Sequence, residues 1–161
     1  MNGGLTGRME FFQAIEQLGA VRLLKSSFLA YPIVNALHIA AIGAILTSVL
    51  LMDFSVLGVI RSVPREKLVS LLRRVALAAF VIAVLTGMTM FSIQATDYVR
   101  NPVFLLKLGL LLLAALNFIA FTALETQKRS GEASAVLRVL AVASILLWSG
   151  VLLAGRFIGF V

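Results

Sequence analysis

Four apolar stretches, each of roughly 17 to 22 residues, take up about half of the chain, and as helices each is long enough to cross a hydrocarbon layer ~30 Å thick. In a chain of 161 residues, that leaves no room for a separate soluble catalytic domain. The composition agrees: 61% of residues are apolar and 13% charged, against about half and a quarter in an ordinary soluble domain. The chain reads as an all-α integral membrane protein, a four-transmembrane-helix bundle preceded by an N-terminal amphipathic interfacial helix. Residues 1–30 form the interfacial segment and residues 31–161 the membrane domain.

The spans are expected at about residues 33–60, 75–93, 103–124 and 139–160. Asn35, His38 and Asp53 interrupt the first. The second carries no charge. The third follows Asn101-Pro102, a helix-start signal, and holds Lys107 one turn inside; the fourth carries Arg156 near its end. Both cations lie close enough to an end to snorkel.

Basic residues set the orientation. Arg61, Arg65, Lys67, Arg73 and Arg74 separate the first two spans, and Lys128, Arg129 and Arg138 the last two, whereas the middle loop offers only Arg100 and Lys107. The two richer loops are therefore expected in the cytoplasm and both termini outside it, in a bacterial inner membrane. The net charge of +7 belongs to these loops and to anionic lipid, not to nucleic acid. Over residues 8–25, Phe11, Ala14, Ile15 and Leu18 share one helical face and Glu10, Gln13, Glu16 and Gln17 the other, the pattern of a helix lying in the interface. Glu10 and Glu16 interrupt any secretory-signal pattern, so this segment is expected to stay with the folded protein. Small residues recur every fourth position at Ala36, Ala40, Ala44 and Ser48, and at Ala76, Ala79, Ala83 and Gly87. Such stripes let membrane helices approach closely.

With no cysteine and a single histidine, thiolate metal sites, iron–sulfur clusters and c-type haem attachment are excluded. No nucleophile elbow, phosphate loop, acidic metal cluster or carboxylate pair is present, so no independent catalytic activity is expected. Up-and-down topology instead brings His38, Met88, Met90, Lys107 and Arg156 to one depth. Three readings fit that layer: His38 ligates a b-type haem while the cations neutralise propionates; His38 and the methionines bind copper; or His38 bonds a helix carbonyl or Asn35 and the cations reach lipid phosphates. Trp148 is a packing residue or a wall against a planar ligand. Asp53 is expected in an ion pair with Arg73 or Arg74, the alternative being a proton or cation carrier. Asn117 is expected to make an interhelical hydrogen bond.

The order Leu37-His38, Arg73-Arg74, Leu85-Thr86-Gly87, Asn101-Pro102 and Lys107 followed by a leucine-rich run to Asn117 resembles the copper-resistance D membrane family and a related group of four-helix bacterial membrane proteins. The resemblance covers about residues 31–160. It implies a bundle like that of membrane b-type cytochromes and a role in copper handling or membrane electron transfer, with His38 and Lys107 matching the family's histidine and lysine. The expected function is a redox-linked or copper-linked membrane protein. The alternative is a structural subunit that packs against a larger complex or another copy of itself.

Overall fold

Hydrocarbon offers the peptide backbone no hydrogen-bonding partners, so a spanning segment must satisfy its amides within itself. The computed structural model, which describes residues 3–126 and 135–160, contains helices and no strand among them. In chain order these are α1 (Gly3–Glu16), α2 (Gly19–Ser26), α3 (Ala30–Val56), α4 (Arg65–Ile93), α5 (Ala95–Arg100), α6 (Pro102–Thr126) and α7 (Ala135–Phe157), with a closing 3-10 turn at Ile158–Phe160. Four of them, α3, α4, α6 and α7, are long and apolar enough to cross a membrane. Lys128 and Arg129, and the side chain of Arg8, fall outside the described residues.

Helix ends differ from the hydropathic boundaries for identifiable reasons. α3 stops at Val56 rather than near position 60 because Gly58 adopts a left-handed conformation, φ 79°. The amide of Val59 then bonds the carbonyl of Phe54 at 2.9 Å and that of Gly58 bonds Ser55 at 3.2 Å, the Schellman arrangement that terminates a helix. α4 begins at Arg65, so Lys67, Arg73 and Arg74 ride on its first turns and not on a loop. At α4 the helix runs on past the point where the apolar stretch ends.

The single interfacial helix expected over residues 8–25 is two helices, α1 and α2, broken before Gly19. Glycine is a poor helix former, and the tertiary structure draws Glu16 elsewhere: its carboxylate accepts the Thr96 backbone N–H at 2.9 Å, tying α1 to α5. Phe12 meets Phe91 edge-on at 6.1 Å, and Phe91 stacks on Phe104 at 5.7 Å. Phe11, Leu18, Leu23, Phe28 and Leu29 stay exposed, the outward apolar face an interfacial segment requires.

Within the bundle α3 packs against both α4 and α7, and α7 against α6. The order around the bundle is therefore α4, α3, α7, α6, and α4 and α6 are not among the closely packed pairs. The α3–α4 seam is built on Ile45, Val49 and Ala79, with Ala44, Met52, Ala83 and Trp148 against it. The α3–α7 seam is built on Val56, Leu137 and Ala141. Of the expected stripe on α3, Ser48 is buried and Ala44 sits at the seam, but Ala36 and Ala40 are exposed; the buried face runs instead through Ala41, Ile45, Ser48 and Val49. Asn117 donates to the Leu140 carbonyl at 3.1 Å, the interhelical bond anticipated for it.

Ala141 is fully buried. Replacing it with leucine overpacks the α3–α7 seam, and we expect Ala141→Leu to lower stability by about 1–3 kcal/mol in a denaturation titration in bicelles. A second outcome follows from Glu16, whose hydrogen bond to Thr96 holds its carboxyl below the ordinary value of 4.5. A carboxylate lowered in the folded state contributes stability above its unfolded pKa and loses that contribution as pH falls through the lowered value. The protection of the Thr96 amide, its exchange rate relative to the intrinsic rate at the same pH, should be high at about pH 6 and fall in acid below that lowered value. Glu16→Gln should abolish the pH dependence.

Candidate functional site

At one end of the bundle His38 of α3 meets α4. Its Nδ1 lies 2.9 Å from Thr86 Oγ1. The Thr86 hydroxyl has one proton, which it donates back along its own helix to the carbonyls of Ile82 at 2.6 Å and Ala83 at 3.2 Å. Oγ1 is therefore the acceptor and His38 Nδ1 carries the hydrogen, which leaves Nε2 as the lone-pair nitrogen of the neutral ring. The absence of a side chain at Gly87 makes room: a Cβ there would lie 3.1 Å from His38 Cε1. Small residues on α4 thus seat an imidazole as well as a helix.

Lys107 of α6 is near enough for its charge to act on His38. Its ammonium lies over α7, with Nζ 3.4 Å from where a Cβ would stand on Gly155. Arg156, next in sequence, is exposed and makes an interaction of its own. Four helices thus contribute to the layer expected from topology. One expected member, Met88, does not belong to it. Met88 is 66% exposed, because it follows Gly87 by one residue and the helix turns about 100° per residue, which sends it outward. Trp148 lies about 10 Å along α7 from Gly155 and packs on Ile45, Val49 and Ala79. Met90, about 60° round the helix from Gly87, stays on the His38 side and is partly buried.

The donor chemistry here fits one axial position of a haem, through Nε2, and an ammonium for a propionate. Among the described residues no three His, Cys, Asp or Glu side chains gather. For copper the donors would be His38 and the Met90 thioether on the same side, with the Lys107 charge working against a bound cation.

Near the other end lies a cavity of about 260 Å³ that sequence reasoning did not anticipate. Its walls are one stripe of α4 (Val69, Arg73, Ala76, Leu77, Phe80) and one of α6 (including Leu111, Ala114, Ala115 and Phe118), and its floor is α3 and α7, through Met52, Asp53, Ser144 and Trp148. Leu77, Phe80, Phe118 and Ile119 at its rim are exposed, so it opens sideways between α4 and α6, toward where lipid would lie. Asp53 is 7% exposed with the Ser144 hydroxyl beside it.

The expected ion pair between Asp53 and Arg73 or Arg74 is not made. Arg73 instead binds Glu125 at 2.8 Å, and Arg65 takes the other Glu125 oxygen at 2.9 Å. One carboxylate at the end of α6 thereby clamps two guanidinium groups of α4 across the mouth of the cleft. Asp53 Oδ2 and Arg73 Nε are both buried without a hydrogen-bond partner, and both residues line the cleft. A periodic count of polar positions finds Asp53 but not the cavity, which depends on which helices fail to touch.

Fold and site together define a helical multipass membrane protein with two polar stations inside its bundle. The chain belongs to a family of unknown function, DUF6644, whose profile matches residues 23–161. Neither the curated proteins nor the solved structures contain a match to it.

The close approach at Gly87 yields a direct test. Gly87→Ala should push the imidazole by a few tenths of an ångström and weaken its bond to Thr86. Nitrogen NMR of the single histidine reads this as a loss of the fixed tautomer, with both tautomers populated in the variant and one in the parent.

Proposed function

We propose that this protein binds a lipid-soluble molecule in the cleft between α4 and α6, taken up sideways from the bilayer, with its polar head between Asp53 and Arg73. The observation that carries the reading is the pair of orphaned atoms, a carboxyl oxygen and a guanidinium N–H, buried in one apolar cavity. Each unmet buried group costs about 1–3 kcal/mol, so a head group that both donates and accepts is favoured there. Pockets of this kind, mostly apolar with a few convergent polar groups, are where small molecules bind, and intramembrane ionisable groups mark function.

The head-group class is a planar ring bearing carbonyl or hydroxyl oxygens, of the quinone or quinol type. Trp148, Phe80, Phe118 and Phe121 supply aromatic walls. The gap between α4 and α6 lets an apolar tail run into lipid. This keeps the protein in membrane redox chemistry as a binding partner, in a bacterial cytoplasmic membrane with its basic helix ends inward. The imidazole of His38 favours a second reading, a b-type haem whose second axial ligand would be Met90 or the His38 of another copy, which a Soret band lost in His38→Ala would support.

Trp148 is the only tryptophan, so its fluorescence reports on the cleft. Titration of the protein in nanodiscs with decylubiquinone should quench it saturably. Asp53→Leu and Ala115→Phe, which remove the polar contact and fill the rim, should each raise the half-saturation point about tenfold, equivalent to ~1.4 kcal/mol. Linear quenching, equal in all variants, is mere partitioning into lipid; it would overturn the reading and leave the structural-subunit alternative.

A further inference from the structure

The geometry points to a second site, at the His38 end: one phosphate-class oxyanion held by Lys107 over the bare backbone of Gly155, with the His38 imidazole alongside. It is independent of the cleft, since His38 and Asp53 stand about 22 Å apart along α3 and the two share no residue.

The first support is an unbalanced charge. Lys107 is partly buried within a spanning helix, and neither ion pair of Glu125, with Arg65 or with Arg73, involves it. Glu16 is committed to the Thr96 amide. A charge inside a membrane protein is costly unless paired; here nothing in the described protein pairs it.

The second support is where the ammonium goes. A lysine one turn inside a helix end ordinarily extends toward the interface. Lys107 does so along α7, its Cδ, Cε and Nζ 3.9, 3.6 and 3.4 Å from the Cβ position of Gly155, close to the end of that helix at Phe157. The missing side chain at Gly155 is what admits it, as the missing side chain at Gly87 admits His38. Two glycines on different helices hold a cation and a lone-pair nitrogen in one layer.

The ligand class follows from the atoms offered. The ammonium has three hydrogens to give, which suits a tetrahedral oxyanion with several acceptor oxygens. Nε2, its partner nitrogen already spent on Thr86, accepts one hydroxyl. An oxyanion bearing a hydroxyl satisfies both. Hydrogen phosphate does so from solution, and a phosphoglycerol head group does so from the bilayer.

Native mass spectrometry of the full chain released from nanodiscs distinguishes the sources. With nanodiscs of phosphatidylcholine doped with phosphatidylglycerol, the parent should retain one phosphatidylglycerol. Lys107→Gln should lose it by at least about tenfold, Lys107→Arg should keep it, and Arg74→Gln, at the opposite end, should leave it unchanged. Gly155→Val places a side chain where Nζ lies and should lose the lipid too, which covers a misfolded Lys107→Gln. Displacement of the lipid by inorganic phosphate assigns a soluble oxyanion; retention against phosphate assigns the head group. Equal retention in the parent and in both Lys107→Gln and Gly155→Val, or no retention of either probe, overturns the site.

Discussion

The sharing of α3 between two neighbours governs most of this architecture. Lipid is as apolar as any side chain, so helices in a bilayer associate through close contact and not through expulsion of water. α3 offers two such faces, one through Ile45 and Val49 toward Ala79 and another through Val56 toward Leu137 and Ala141. Once α4 and α7 occupy those faces, α6 joins through α7, and α4 and α6 are held apart. The lateral cleft is the space left by that choice. Its floor is α3 and α7, so the polar groups of those helices, Asp53 and Ser144, become its chemistry.

Charge is distributed unevenly between the two ends. At the cleft's mouth Glu125 neutralises Arg65 and Arg73 together, and by holding the end of Arg73 it leaves that residue's Nε without a partner. Asp53 thereby loses the counter-ion nearest to it in sequence logic. At the opposite end a lysine and an imidazole meet with no carboxylate paired to them among the described residues. Both ends carry unmet hydrogen-bonding or electrostatic capacity, of different kinds: a donor with an acceptor at one, a cation with a lone pair at the other.

Glycine does two separate tasks here. Gly58 is required by backbone conformation, ending α3 in a left-handed turn. Gly87 and Gly155 are required by space, each admitting a functional side chain from a neighbouring helix. A repeat of small residues read along one helix looks alike in every case. What distinguishes them is the partner across the contact.

The sequence by itself determined the membrane class, the number of spanning helices, the depth shared by His38 and Lys107, and the hydrogen bond of Asn117, because length, hydropathy and helical rise are local quantities. It also carried the end of α3, in Gly58, though hydropathy alone overran it. Only the tertiary structure decided that Met88 faces outward, that Trp148 belongs with Asp53 and not with His38, and that Glu125 takes the arginine expected for Asp53. It also decided that α4 and α6 stand apart. Each of these depends on the rotation of one helix about its axis relative to another, which the contacts between helices settle and no property of a single segment contains.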